Sequence, residues 1–259
     1  MKIYGKNPVM ERLKANPKSV RVIFVQTGHP EHSYIASKAR KHGIPVSVVE
    51  PRKMLKLGRS LNTQGLIMEV QDFEYVPYED VLDEAAAGNT VLVFIDGLND
   101  PQNLGAIIRS LGCLGGFTLV LPTHDSVHVT DAVMRVACGG ENYVRVAKVN
   151  NLNQAIGKAK DKGIWIAGSV VKDGADLKEA KLPFPLALVI GSEEKGIRDV
   201  TLQKLDVKLS IYMAHPRMSL NAAHAASIFC YEINKQKPKN AKKQNAPAGE
   251  RIIYDNLPE

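Results

Sequence analysis

FIDGLNDPQNLGAIIR, Phe94 to Arg109, decides the fold. Val91-Leu-Val-Phe-Ile95 leads into it, an apolar, β-branched run suited to a strand buried on both faces of a parallel sheet. An amphipathic run with apolar residues at helical spacing follows. Between the two lies Asp96-Gly-Leu-Asn-Asp-Pro-Gln-Asn-Leu-Gly105, and its Asn, Asp, Pro and Gly residues are turn formers. The segment reads as a strand, a loop at the strand's carboxyl end, and a helix carrying Arg109. Ligands bind at that end of the strands in open α/β sheets.

Two other stretches have the same form, LALVIGSEEKG from Leu186 to Gly196 and KLSIYMAHPRMSLNAAHAA from Lys208 to Ala226. Around them strand and helix patterns alternate, with strands expected at 91–95, 117–121, 143–147, 164–170, 186–190 and 207–211. Such alternation predicts an α/β fold, a parallel sheet with helices on both faces. Nothing reads GxGxxG, and GSEEKG lacks the GK[ST] ending of a phosphate loop. It is better read as a turn whose backbone lines a pocket.

At 259 residues the chain is long enough for two modest domains, and 44% hydrophobic with 24% charged residues is an ordinary globular composition. No apolar run approaches the roughly 20 residues of a membrane span. The N-terminus lacks the apolar centre of a signal peptide, so a cytoplasmic protein is expected. Cys113, Cys138 and Cys230 are odd in number, lack CxxC spacing and sit in apolar settings, which reads as buried small hydrophobes. No cysteine or carboxylate completes a metal-ligand set around His124 and His128, and no metal is expected.

Charge is unevenly placed. Residues 1–60 hold 13 Lys or Arg against three Glu, a net of +10. Residues 61–234 hold 15 basic and 21 acidic residues, a net of −6, and residues 235–259 six and three, a net of +3. An acidic partner such as RNA is therefore expected on the N-terminal part. Residues 1–72 read as a small α/β unit, 73–90 as an acidic linker with a helical piece at 81–87, and 91–235 as the main α/β domain. Residues 236–259, rich in Lys, Asn, Ala and Pro, read as a basic, disordered tail. Tyr4, Arg21, Lys38, Arg40, Lys41, Arg52 and Lys53 are the candidate phosphate contacts.

The three strand-then-loop stretches resemble, in order, the three motifs of the SpoU branch of the SPOUT RNA methyltransferases. The first matches through Asn103, Gly105, Arg109 and Ser110, the second through Gly191, Glu193 and Gly196, and the third through Met213, Ser219, Leu220 and Asn221. The resemblance covers about 91–235, and a weaker one likens the N-terminal unit to the ribosomal-protein-like RNA-binding domain of many members. It implies a deep trefoil knot, S-adenosylmethionine as methyl donor, a ribose 2′-oxygen of RNA as acceptor, and a homodimer formed through the knotted domain. By this carry-over Gly191, Ile211, Met213 and Leu220 hold the cofactor, and Asn103, Glu193, Ser219 and Asn221 shape the site. Arg109 acts on the 2′-hydroxyl. The chain departs from the family at Tyr212, where relatives usually have Pro, and at His215, where they usually have Gly.

ACGGENYVRV, Ala137 to Val146, resembles enzymes of large-subunit (23S) ribosomal RNA. Transfer RNA is the alternative substrate, and a non-catalytic RNA-binding relative the alternative class. On the residues alone, Ser219 is a natural N-cap for a helix over 220–234, and Ala222, Ala223, Ala225 and Ala226 allow close approach of a second copy.

Overall fold

A computed structural model of the chain describes residues 1–59, 61–215 and 218–238. The N-terminal part carries β1 (Lys2–Tyr4), α1 (Lys6–Ala15), β2 (Val20–Gln26), α2 (His32–Lys41), β3 (Val46–Val49), α3 (Pro51–Leu57) and β4 (Leu66–Val70). Its four strands lie in the order β1-β4-β2-β3, with β2 and β3 parallel and the other pairs antiparallel.

Then follow α4 (Tyr78–Ala86), β5 (Val91–Asp96), α5 (Pro101–Leu114), β6 (Phe117–Pro122), α6 (Asp131–Ala137) and β7 (Arg145–Val149). The chain continues through α7 (Leu152–Asp161), β8 (Trp165–Ser169), β9 (Ala175–Asp176), β10 (Leu186–Gly191), α8 (Asp199–Leu202), β11 (Val207–Ser210) and α9 (Ala222–Gln236). Seven strands form one sheet in the order β7-β6-β5-β10-β8-β11-β9, and every pairing is parallel.

Strand periodicity builds the two faces of this sheet. Val91, Val93 and Ile95 of β5, with Leu186, Leu188 and Ile190 of β10, join the larger apolar cluster under α5, α6 and α9. Leu92 and Phe94, with Ala187 and Val189, point the other way into a cluster with α4 and α7. Both faces are covered, so these strands are apolar without alternation in sequence.

The six expected strands form at the expected places, with ends shifted by up to two residues. One boundary moved usefully. Asp100 accepts the backbone N–H of Gln102 at 2.9 Å and Pro101 occupies the first helical position, so α5 starts inside the expected loop. Asn103 is thus a first-turn residue. At the far end Gly115 stops α5 with φ +68°.

Other expectations fail. The stretch 73–90, read as a linker with a helical piece, packs on the main sheet. Val76 bridges Ala147 at the sheet edge, and α4 buries Tyr78, Val81, Leu82 and Ala85, with the Tyr78 hydroxyl donating to the Ala155 carbonyl at 2.8 Å. Cys230 is buried, but Cys113 is exposed, because it falls on the outer face of α5. Tyr4 is buried under α3, not available to a phosphate. The tail from 239, including Ile252 and Tyr254, lies outside the described residues. No described helix is long and apolar enough to cross a membrane.

The two parts share one core. Ile3, Val9, Leu13 and Ile23 belong to the same cluster as Leu104 and Met134. Within that contact the Arg12 guanidinium donates to the Glu141 carboxylate at 3.0 Å, with side chains 8% and 0% exposed. Burial raises the Glu141 carboxyl above its ordinary range, against the opposing pull of Arg12. A carboxyl raised in the folded state supports folding fully below its unfolded pKa and loses that support as pH rises through the folded one. Arg12→Met removes the opposing cation and leaves a buried charge unpaired. Urea titration should show a loss of about 3–5 kcal/mol at about pH 8 and a clearly smaller loss in acid, because burial makes the Glu141 carboxyl take up its proton more readily as pH falls. Equal losses at both would place the effect elsewhere.

Candidate functional site

Loops after β5, β10, β8 and β11 meet at the carboxyl edge of the sheet. The order β5-β10-β8-β11 makes them neighbours although they are distant in sequence. Three side-chain clamps hold them. The Asp96 carboxylate, fully buried at the end of β5, accepts the Arg198 Nε–H at 2.6 Å and the Arg198 backbone N–H at 3.0 Å. This ties the exit of the β10 loop to the β5 strand. In the second clamp the Asn103 carboxamide donates to the Glu193 carboxylate. In the third, Asn221 Nδ2 donates to Asn103 Oδ1 at 2.8 Å. The three expected motifs thus converge on one carboxamide.

Asn221 also caps α9, accepting the Ala223 N–H at 2.9 Å. The cap is Asn221 and not Ser219, because α9 starts two residues later than its apolar pattern suggests. Between 191 and 197 the chain makes a tight turn. Ser192 and Gly196 exchange backbone hydrogen bonds of 3.0 and 2.9 Å, and Gly196 takes φ +66°.

Beside these clamps is a cleft of about 500 Å³, within the range of small-molecule sites. The expected residues Gly191, Glu193, Ile211, Met213, Ser219 and Leu220 line it. Asn103 and Asn221 join it through hydrogen bonds. Sequence reading missed the β8 loop, Ser169 to Asp173, and the α9 residues Ala222, Ala225 and Phe229, which form the remaining walls. Arg109 does not line the cleft. It is exposed on the third turn of α5, next to Ser110, whose hydroxyl accepts from Ser227 of α9 at 2.7 Å.

The six basic residues proposed as phosphate contacts are all on the N-terminal part but form no single patch. Arg40 and Lys41 are exposed on α2, and Lys38 is half-buried there with its ammonium 5.7 Å from the Tyr34 ring. Arg52 and Lys53 are exposed on α3, across the small sheet, and Arg21 is exposed on β2. Among the described residues no group of three His, Cys, Asp or Glu has metal-holding geometry. His124 is exposed; His128 is half-buried, its pKa lowered by burial and then by Lys148.

A sequence profile of the SpoU rRNA Methylase family matches residues 90–231. A second, described as RNA 2′-O ribose methyltransferase substrate binding, matches residues 2–76. The chain is 32% identical over 241 residues to an uncharacterized tRNA/rRNA methyltransferase of Mycobacterium ulcerans, covering 91% of this chain and 77% of that one. To the 23S rRNA (guanosine-2′-O-)-methyltransferase RlmB of Pseudomonas putida it is 29% identical over 241 residues, with 91% and 96% covered. The structure of an AdoMet-bound rRNA methyltransferase from Sinorhizobium meliloti shares the fold with a TM-score of 0.74 at 20% identity, covering 90% and 86%.

A glycine at 191 lets the backbone approach a ligand without a Cβ. Its own turn supplies a stronger reason. A Cβ there would stand 2.1 Å from the Gly196 carbonyl carbon and 2.3 Å from the Ile197 nitrogen. Gly191→Ala should therefore spring the 192–196 turn and lower the melting temperature by roughly 5–10 °C. Thermal unfolding with amide exchange of Ser192 and Gly196 checks this; wild-type protection in the variant would refute it.

Proposed function

The chain belongs to the SpoU rRNA methylase family, and from that premise we propose that it transfers a methyl group from S-adenosylmethionine to a ribose 2′-oxygen of RNA. The observation that carries the reading is the meeting of Asn103, Glu193 and Asn221, one residue from each motif, beside the cleft. The cleft fits the cofactor. Ile190, Ile211, Leu220 and Phe229 offer an apolar wall for an adenine, and the 192–196 turn with Ser219 offers polar groups for the ribose and amino-acid end. When bound, the cofactor supplies a methyl group already activated on a sulfonium.

What remains for the protein is to place the acceptor and favour charge on its oxygen. A guanidinium stays protonated in proteins, so Arg109 is a poor base. We assign it to orienting the 2′-hydroxyl and a neighbouring phosphate and to stabilising the developing oxyanion. Its exposure leaves it open to a macromolecular substrate. Asn103, Glu193 and Asn221 hold the loops in register, and Ser219 lines the cleft.

Large-subunit (23S) ribosomal RNA is the proposed substrate, supported by the relative named for that reaction and by the basic N-terminal part. The name tRNA/rRNA methyltransferase carried by other relatives keeps transfer RNA as the second reading. We place the protein in the cytoplasm, where such RNA is found. The deep trefoil path belongs to the same proposal. It is supported by the end of α9, where Asn234, Gln236 and Lys237 donate to the carbonyls of Leu114, Ala180 and Asn89.

A homodimer completes the reading, though not through the alanines. Ala222, Ala223 and Ala226 are buried in their own chain, and Ala225 faces the cleft. The exposed face of α9 instead shows Ile228 and Tyr231, 42% and 63% exposed, beside Tyr212 at 79%. With Leu177 and Ile211 they line a groove rimmed by Asp176, Lys178, Glu179 and Glu232, an apolar centre with a polar rim of the kind that marks an interface.

Five measurements test this. Calorimetry should detect S-adenosylmethionine binding, and 2′-O-methyl mapping of ribosomal and transfer RNA from a deletion strain should show the missing site. Arg109→Ala should lower single-turnover methyl transfer by at least about a hundredfold, with little change in the salt dependence of RNA binding. Reversing Lys38, Arg40 and Lys41 to Glu should instead weaken RNA binding and flatten its salt slope, by roughly 0.7–0.9 log units for each phosphate no longer neutralised. Light scattering should give a dimer that Ile228→Asp with Tyr231→Asp converts to a folded monomer. A monomeric wild type would end the dimer proposal.

A further inference from the structure

The segment between α6 and β7 touches two elements at once. Cys138 and Gly139 pass through left-handed backbone, φ +55° and +96°. Gly139 lies so close to α1 that a Cβ on it would stand 2.6 Å from the Cβ of Glu11. Gly140 lies as close to α5: a Cβ there would stand 2.8 Å from the Cα of Arg109 and 3.1 Å from the carbonyl oxygen of Ile108. The approach is reciprocal, because a Cβ on Gly112 would stand 3.1 Å from the Gly140 carbonyl oxygen. Glu141 holds this short turn in place. Its buried carboxylate accepts the Gly139 N–H at 3.1 Å and the Arg12 guanidinium at 3.0 Å. Nearby, the Tyr143 hydroxyl donates to Glu11 of α1.

We propose that residues 138–142 are a positioning strut, in which Glu141, anchored by Arg12 of the N-terminal part, sets through Gly140 the placement of the α5 backbone at Arg109. The domain that grips RNA would then also hold the arginine that acts on it. The inference rests on the reading of Arg109 as the group that acts on the 2′-oxygen. At Gly140 backbone meets backbone, with no flexible side chain between to absorb a displacement. A movement of the strut therefore reaches the Arg109 Cα directly, and a displacement of about 1 Å can cost about a hundredfold in rate. Neither Gly140 nor Glu141 contacts substrate in this scheme; both act through Arg109.

The test is a double-mutant cycle on the full-length protein. Gly140→Ala, Arg109→Ala and the double variant are compared by single-turnover methyl transfer at saturating RNA and S-adenosylmethionine. RNA affinity, cofactor affinity and melting temperature are measured beside them. Gly140→Ala should slow transfer by at least about tenfold and leave both affinities within about twofold, and it should slow nothing further once Arg109 is gone. Glu141→Gln keeps an acceptor oxygen and loses the charge. It should show a smaller slowing with the same dependence on Arg109, and it replaces Gly140→Ala in the cycle if that variant does not fold. A slow Arg109→Ala beside a variant of the strut that loses only melting temperature, or that slows transfer equally in both backgrounds, overturns the strut. If Arg109→Ala itself transfers at the wild-type rate, the catalytic reading of Arg109 falls and the strut falls with it.

Discussion

One carboxamide, that of Asn103, is the fixed point of the candidate site. The amide nitrogen faces Glu193, and the amide oxygen is left for Asn221. An Asp at this position would repel Glu193, and a Gln would overreach it. Asn103 is 7% exposed, so its hydrogen-bonding groups gain little from water, and each one left unmade would cost about 1–3 kcal/mol. Its position in the first turn of α5 adds a second effect. The clamp thereby ties the 192–196 turn to the N-terminal end of the helix. Because Asn221 also caps α9, the start of α5, the 192–196 turn and the start of α9 are all referenced to the same few atoms.

Much of this was legible in the chain because the signals are local. A continuous apolar run, then Asp, Asn, Pro and Gly, then a helical pattern is a strand, a loop and a helix wherever the rest of the chain lies. The three-motif resemblance then named Asn103, Glu193 and Asn221 together, which composition alone would not have done. What stayed hidden was set by sheet order. Asp96 and Arg198 are 102 residues apart, and Ser169 to Asp173 reach the cleft only because β10 inserts between β5 and β8. No periodicity encodes that insertion. Smaller misreadings were contests between local rules. Ser219 and Asn221 are both good caps, and packing of α9 on α5 decided for the second.

Charge divides the chain near residue 60, and apolar packing does not respect the division. The +10 of residues 1–60 and the −6 of residues 61–234 describe surfaces, and surfaces do differ between the two parts. Their interiors do not. Val9 and Leu13 of α1 belong to the same apolar cluster as Leu104 and Met134, and α4 places its buried face on the second cluster. An N-terminal part joined this way presents its basic residues at a set position relative to the cleft. A tethered one would have to search for that position at each encounter with substrate.

The ion pair between Arg12 and Glu141 also has a consequence for the newborn chain. Its two residues are separated by 129 positions. At roughly 5–20 residues per second, Arg12 is synthesised about 6–26 seconds before Glu141. During that interval Val9, Leu13 and an uncompensated guanidinium face solvent on the one surface destined to be covered. Long-range contacts of this kind slow folding, and an apolar strip left waiting is the form of surface that chaperones bind and that aggregates grow from. Helix α1 thus depends for its concealment on a segment made 129 residues later.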